Sequence, residues 1–174
     1  VKLWSDKYWA LFEKYVKNAA DFGMNMLLTP IFTPPLDTEP GGERRTTQLL
    51  GVTKTGEHAY EFDFTNLEKY IEIAEKCGIK YFELSHLFTQ WGAAHAPKII
   101  ATVNGKEKRI FGWDTDSASD EYQNFIKALL KALIAWFTEK GMLDRVYFHF
   151  SYEPHLEHME NIHLAHILNH ICEN

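Results

Sequence analysis

A unit recurs three times along the chain, an amphipathic helix pattern, a single glycine and a short apolar run, and a long loop follows the first two. The spacing predicts a first helix opening at Ser5 as N-cap. Tyr8, Phe12, Tyr15 or Val16, and Ala19 mark its buried stripe, and Gly23 its stop. Residues 24–30 then read as a buried strand. A second helix is expected behind a capping box, Thr65, Asn66, Leu67 and Glu68, with Leu67, Tyr70, Ile71 and Ala74 inward. Gly78 ends it and residues 79–85 form a strand. A third starts near Ser119, carries Tyr122, Phe125, Leu129, Leu133 and Trp136, and stops at Gly141 before a strand over 145–150. A fourth helix is expected over about 156–172. Helix–strand alternation with single-glycine links means parallel strands and crossover helices.

The two kinds of connection differ. Helix-to-strand links are about one to four residues, whereas the strand-to-helix links over 31–64 and 86–118 are far longer than ordinary loops. Both long loops leave the carboxyl ends of strands, where parallel α/β folds build their sites. The second contains its own hairpin signal, residues 98–103 and 106–111 around Asn104-Gly105. It reads as a flap with Trp91 on one side and Trp113 on the other. These two indoles serve either to pack the flap on the body or to stack on a sugar ring.

Alternation along the strands sorts their faces. Tyr147, His149, Ser151 and Glu153 share one face of the last strand, and Tyr81, Glu83 and Ser85 one face of the second. Asn25, Leu27 and Thr29 are assigned to the matching face of the first, so that three strands present polar groups in step. Glu83 is costly to bury alone, and His149 is its available partner, either as a structural pair or within a pocket. Glu153 sits where Pro154 ends sheet pairing. A carboxyl at an aromatic pocket mouth has a raised pKa and suits a general acid; a Glu there also suits the start of the following helix.

The remaining composition excludes more than it assigns. With 174 residues, 45% hydrophobic and 24% charged, the chain has globular values for a single domain. A formal charge of −6 argues against a nucleic-acid footprint, and no apolar run approaches the ~20 residues of a membrane span. Cys77 and Cys172 fall in helical patterns and read as buried thiols. His155, His158, His163, His166 and His170 crowd the end, but without an HExxH arrangement, and on a helix expected outside the sheet. No metal site is expected.

Four stretches, "MLLTPIFTPPLDTEPGGERRTTQL", "YFELSHLFTQWGAAHAPKI", "RIFGWDTD" and "VYFHFSYEPHLEHMENI", resemble the catalytic domain of glycoside hydrolase family 123. The resemblance implies a (β/α)₈ barrel that removes N-acetylgalactosamine from glycoconjugates with retention and without a cofactor. It implies substrate-assisted chemistry: the sugar's 2-acetamido oxygen attacks the anomeric carbon, a Glu acts as acid/base, and the preceding Asp steadies the acetamido group. The acid/base carries over to Glu153. The stabilising position holds Tyr152, so hydrolysis is expected to be impaired or absent. His86, Gln90, Trp91, Trp113 and His149 are the expected substrate-binding residues, from their place at strand ends and in the long loops.

A complete barrel needs about 250 residues and eight strands. The expectation is therefore α/β architecture forming about half of a TIM barrel: three core parallel strands, four helices and a β-hairpin flap. Residues 1–174 are expected to be a fragment of a single catalytic barrel, partnered by its remainder or by self-association. With a truncated amino terminus expected at Val1, the lack of a visible signal peptide leaves localisation open. The alternatives are a non-catalytic carbohydrate-binding remnant and a structural fragment with no ligand.

Overall fold

The computed structural model describes residues 1–36, 38–89 and 92–149. Helix α1 (Asp6–Asp21) is capped as expected: the Tyr8 backbone N–H donates to Ser5 Oγ at 3.3 Å. Its inward stripe uses Val16 and not Tyr15, and adds Trp9, which stacks on Trp4 with ring centroids 5.4 Å apart. Helix α2 (Thr65–Lys76) buries Leu67, Tyr70, Ile71 and Ala74. Helix α3 (Asp120–Glu139), capped by Ser119, turns two adjoining apolar rows inward, among them Tyr122, Phe125, Leu129, Leu133 and Phe137. Each such side chain contributes about 1.5–3 kcal/mol on burial, so α3 is the largest single element of the core. Trp136, expected inside, is half-buried at its edge and stacks on Phe64 at 4.9 Å.

The capping box at α2 does not form. The cap residue is Phe64, with no side-chain bond, and Thr65 turns to the carboxylate before it. Asp63 Oδ1 accepts from both the Thr65 N–H (2.9 Å) and the Thr65 hydroxyl (2.6 Å). A charged acceptor two residues upstream outcompetes the neutral hydroxyl for the helix's free N–H groups.

Three short strands, β1 (Met26–Thr29), β4 (Tyr81–Leu84) and β7 (Val146–Phe148), pair in parallel in the order β1-β4-β7. This is the parallel sheet expected from the glycine-linked units. Its register corrects the faces assigned to β1. Leu27 lies beside Phe82 and Val146, and Thr29 beside Leu84 and Phe148, so these point with the buried, helix-facing side. Leu28 lies beside Glu83 and Tyr147 on the other face. The first strand therefore brings an apolar residue, not a polar one, into step with Glu83. Both faces of "MLLT" are apolar enough to permit either phase, and packing against the helices decides it.

The hairpin also forms as expected. Strands β5 (Ile99–Val103) and β6 (Lys106–Phe111) are antiparallel, and Asn104 (φ +51°) and Gly105 (φ +75°) take the left-handed conformations of a tight two-residue turn. It is not a lone flap, however. The first long loop contributes a second hairpin, β2 (Gly51–Lys54) and β3 (Tyr60–Asp63), and β2 pairs in parallel with β5. The result is a four-stranded sheet, β3-β2-β5-β6. Phe111 of β6 and Tyr60 of β3 both meet Phe125 of α3 at 5.0 Å. The second sheet is thus a fixed layer of the core.

Three helices and a 3₁₀ turn (Leu143–Arg145) are present among the described residues. The fourth expected helix lies outside them.

Candidate functional site

The carboxyl ends of β4 and β7 carry a compact polar cluster. Glu83 projects from β4 on the face shared with Tyr147, and His149, two residues beyond Tyr147, falls on that same face. The His149 Nδ1 and Glu83 Oε1 are bonded to each other. The carboxylate fixes the Nδ1–H tautomer and the ring's orientation, as carboxylate partners of imidazoles generally do. This is the pair expected from strand alternation. Beside it, the ring centroid of His86 is 3.9 Å from that of His149, at 44°. His86 is only 2% exposed. Burial, reinforced by His149 and opposed by Glu83, pushes its pKa down to about 4. At neutral pH it is an uncharged ring that can both donate and accept hydrogen bonds.

The loop ends around this cluster are tied to the sheet. Ser85 Oγ accepts from the Phe32 N–H at 3.2 Å and donates to the Phe32 carbonyl at 3.1 Å, joining the residues after β1 to the end of β4. The Tyr122 hydroxyl donates to the Leu87 carbonyl. The Thr89 N–H donates to the His95 carbonyl at 2.9 Å, and the His95 N–H to Thr89 Oγ1 at 3.2 Å.

Trp113 is set apart from the histidines. It forms a wall between two clefts, one of about 270 Å³ and one of about 470 Å³, neither of which includes Glu83, His86 or His149. The segment that follows His86 reaches both, through Thr89 in the first and Phe88 in the second. Trp113 is half-buried, with the His95 ring edge-on at 6.0 Å. The smaller cleft is rimmed by charges that sequence inspection did not single out. Arg109 forks onto Asp114, with Nη2 to Oδ2 at 2.8 Å, and the Lys98 ammonium pairs with Glu43 at 2.6 Å. The pairing holds the Asp114 and Glu43 carboxyls below their usual range. The only local signal was the charged flanks of "RIFGWDTD"; the other charges arrive from distant segments.

Of the expected site residues, the structure brings His86 and His149 together and places Trp113 elsewhere at the same end of the sheet. Tyr152, Glu153, Gln90 and Trp91 lie outside the described residues. So do Cys172 and the five C-terminal histidines. Cys77 is buried, and burial raises its thiol pKa. Among the described residues, no group of three His, Cys, Asp or Glu side chains is placed to hold a metal ion, and no helix is long and apolar enough to cross a membrane.

Comparison with known proteins adds a family and a fold. The sequence profile of the glycoside hydrolase 123 catalytic domain matches residues 1–174. A solved family 123 glycoside hydrolase from Clostridium perfringens, studied for glycolipid glycan hydrolysis, superposes with a TM-score of 0.72 at 15% identity. The match covers 97% of this chain and 29% of that one. At that identity the likeness is one of fold. No curated protein matches the sequence.

Proposed function

The chain belongs to the glycoside hydrolase 123 catalytic domains, and from that membership we propose that it is part of a retaining glycosidase acting on N-acetylgalactosamine-containing glycans. The observation that carries the proposal is the Glu83–His149–His86 cluster at the carboxyl ends of adjacent parallel strands, four residues ahead of Glu153 in the chain. A buried neutral imidazole and an oriented one beside a carboxylate supply directional hydrogen bonds of the kind that hold sugar hydroxyls. We read β1, β4 and β7 as three neighbouring strands of a (β/α)₈ barrel, with residues 1–174 as one part of that single catalytic unit. The remaining strands, or a second copy, would complete the cup.

Glu153 is the acid/base in this reading. Its proton passes to the glycosidic oxygen as the bond to C1 breaks and the substrate's acetamido oxygen bonds to C1, giving an oxazolinium. The Glu153 carboxylate then takes a proton from water, which attacks C1 and releases the acetamido oxygen. Both displacements invert C1, so configuration is retained, and no enzyme nucleophile is needed; this is one of the exceptions to the two-carboxylate scheme. His86, Gln90, Trp91, Trp113 and His149 are proposed to bind the glycan.

Tyr152 weakens the scheme. A phenol with a pKa near 10 is neutral at pH 7 and offsets little of the oxazolinium's positive charge. Loss of such a preorganised partner costs on the order of 10²–10³ in rate. That single residue favours a second reading, a carbohydrate-binding remnant without turnover. The two separate in one experiment with a chromogenic N-acetyl-β-galactosaminide. In a complete domain, Tyr152→Asp should raise turnover by at least about tenfold and Glu153→Gln should abolish the gain. Sugar binding with no turnover in either Tyr152 form establishes the remnant instead.

A further inference from the structure

In a chain of formal charge −6, the smaller cleft beside Trp113 runs the other way. Among the described residues, Arg44, Lys98 and Arg109 line it against two carboxylates, Glu43 and Asp114. Two of the cations are matched by those carboxylates, Lys98 by Glu43 and Arg109 by Asp114. Arg44 is not. Its Nη1 donates to the carbonyls of Pro34, at 3.3 Å, and Leu36. Carbonyls fix the guanidinium in place without neutralising it, and among the described residues it has no carboxylate partner. The Lys98 ammonium also donates to the Arg44 carbonyl at 2.9 Å, which anchors the backbone carrying the charge. The cleft therefore combines a held cation that no described carboxylate neutralises, flanking charged pairs and a half-buried indole. At about 270 Å³ it lies at the small end of ligand pockets, close to ~300 Å³.

We propose that this cleft is a subsite for one anionic sugar unit, with the Trp113 indole under the ring and Arg44 on a carboxylate or sulfate ester. An indole alone would take any sugar face. The surplus positive charge is what discriminates, because a neutral sugar leaves the guanidinium's remaining N–H donors to water, while an anionic group meets them as charge-assisted bonds. The inference extends the glycan-handling reading above and gives the domain a preference for acidic glycans.

The test follows the Trp113 indole N–H by NMR, assigned with Trp113→Phe, during titration of the chain. The four probes are N-acetylgalactosamine 6-sulfate, galacturonate, N-acetylgalactosamine and inorganic sulfate. We expect one or both charged sugars to bind up to about fivefold tighter than the neutral one at low salt, the range of a single exposed ionic contact. The gap should close near 1 M salt, where charges beyond ~3 Å are screened. Arg44→Gln should erase the gap between the charged and neutral sugars. Gly112→Ala gives an independent check, because a Cβ there runs into the Arg109 guanidinium. It should unseat the Arg109–Asp114 fork and weaken all sugars together. Equal affinity for charged and neutral sugars overturns the anionic subsite while leaving the glycan reading intact. Inorganic sulfate binding as tightly as the sulfated sugar overturns the sugar subsite in favour of a simple anion site. A folded chain that binds none of the sugars overturns both this inference and the reading it rests on.

Discussion

At the scale of single residues, His86 couples the site to the stability of the fold. Burial, reinforced by His149 and opposed by Glu83, holds its folded pKa near 4, against about 6.5 in an unfolded chain. Between those two values the unfolded chain binds a proton that the folded chain refuses. Stability is therefore full above about pH 6.5, declines as pH falls towards 4, and changes no further from this source below it. The shift is worth at most on the order of 3 kcal/mol. Urea midpoints measured from pH 7 to pH 4 should fall accordingly, and His86→Gln should flatten that part of the profile. The His86 Cε1–H NMR signal should show no titration step near pH 6.5; a midpoint there would mean the ring is not desolvated. At neutral pH His86 is therefore a hydrogen-bonding ring rather than a charge. Glu83 and His149 were legible as partners in the sequence because strand alternation is strictly two-residue, so polar groups at matching phase must share a face.

At the scale of elements, the entrance to α2 is held by Asp63 rather than by its own first turn. The two bonds from Thr65 lower the Asp63 pKa, so this contribution is present above pH ~4 and is lost as pH falls through the lowered value. Asp63→Ala should cost about 1 kcal/mol in urea unfolding at pH 7, the usual worth of a helix cap. Glu68→Gln, which would break a capping box, should leave the cap intact. The same neighbourhood shows what sequence inspection reaches and what it misses. Helices of 12 to 20 residues repeat their apolar spacing several times, so α1, α2 and α3 stand out. The β5–β6 hairpin announces itself through Asn104-Gly105, because a left-handed turn is written in two adjacent residues. Strands β2 and β3 offer neither signal: each is four residues long, and they are joined by Thr55–Ala59 without a favoured turn dipeptide. Their place is set by β5, more than forty residues onward, and by Phe125. The charged cleft was hidden for the same reason, since Arg44 lies more than fifty residues before the hairpin that carries Lys98 and Arg109.

At the scale of the whole molecule, one core serves both sheets. The ring of Phe125 meets Phe32, which follows β1, at 5.8 Å, and Tyr60, Phe62 and Phe111 of the second sheet at 5.0 to 6.1 Å. Helix α3 thereby covers one side of the parallel sheet and locks the second sheet to it. The opposite side of the parallel sheet is different. Leu28 is 37% exposed and Tyr147 49% exposed on the face that carries Glu83. In the order β1-β4-β7, the outer edge of β1 pairs with no other strand among the described residues. A sheet face that exposes Leu28 and Tyr147 beside Glu83 offers another chain an apolar surface to cover. We predict that the 174-residue chain by itself associates through this face. Sedimentation velocity should show a weight-average coefficient that rises with concentration. Leu28→Lys with Tyr147→Lys should return it towards the monomer without altering the far-ultraviolet spectrum. Phe22, 86% exposed just past the end of α1, provides the control: Phe22→Lys should leave association unchanged. A wild-type chain that stays monomeric at every concentration, or one dispersed by the Phe22 substitution instead, would remove the reason for treating the Glu83 face as a surface built to be covered.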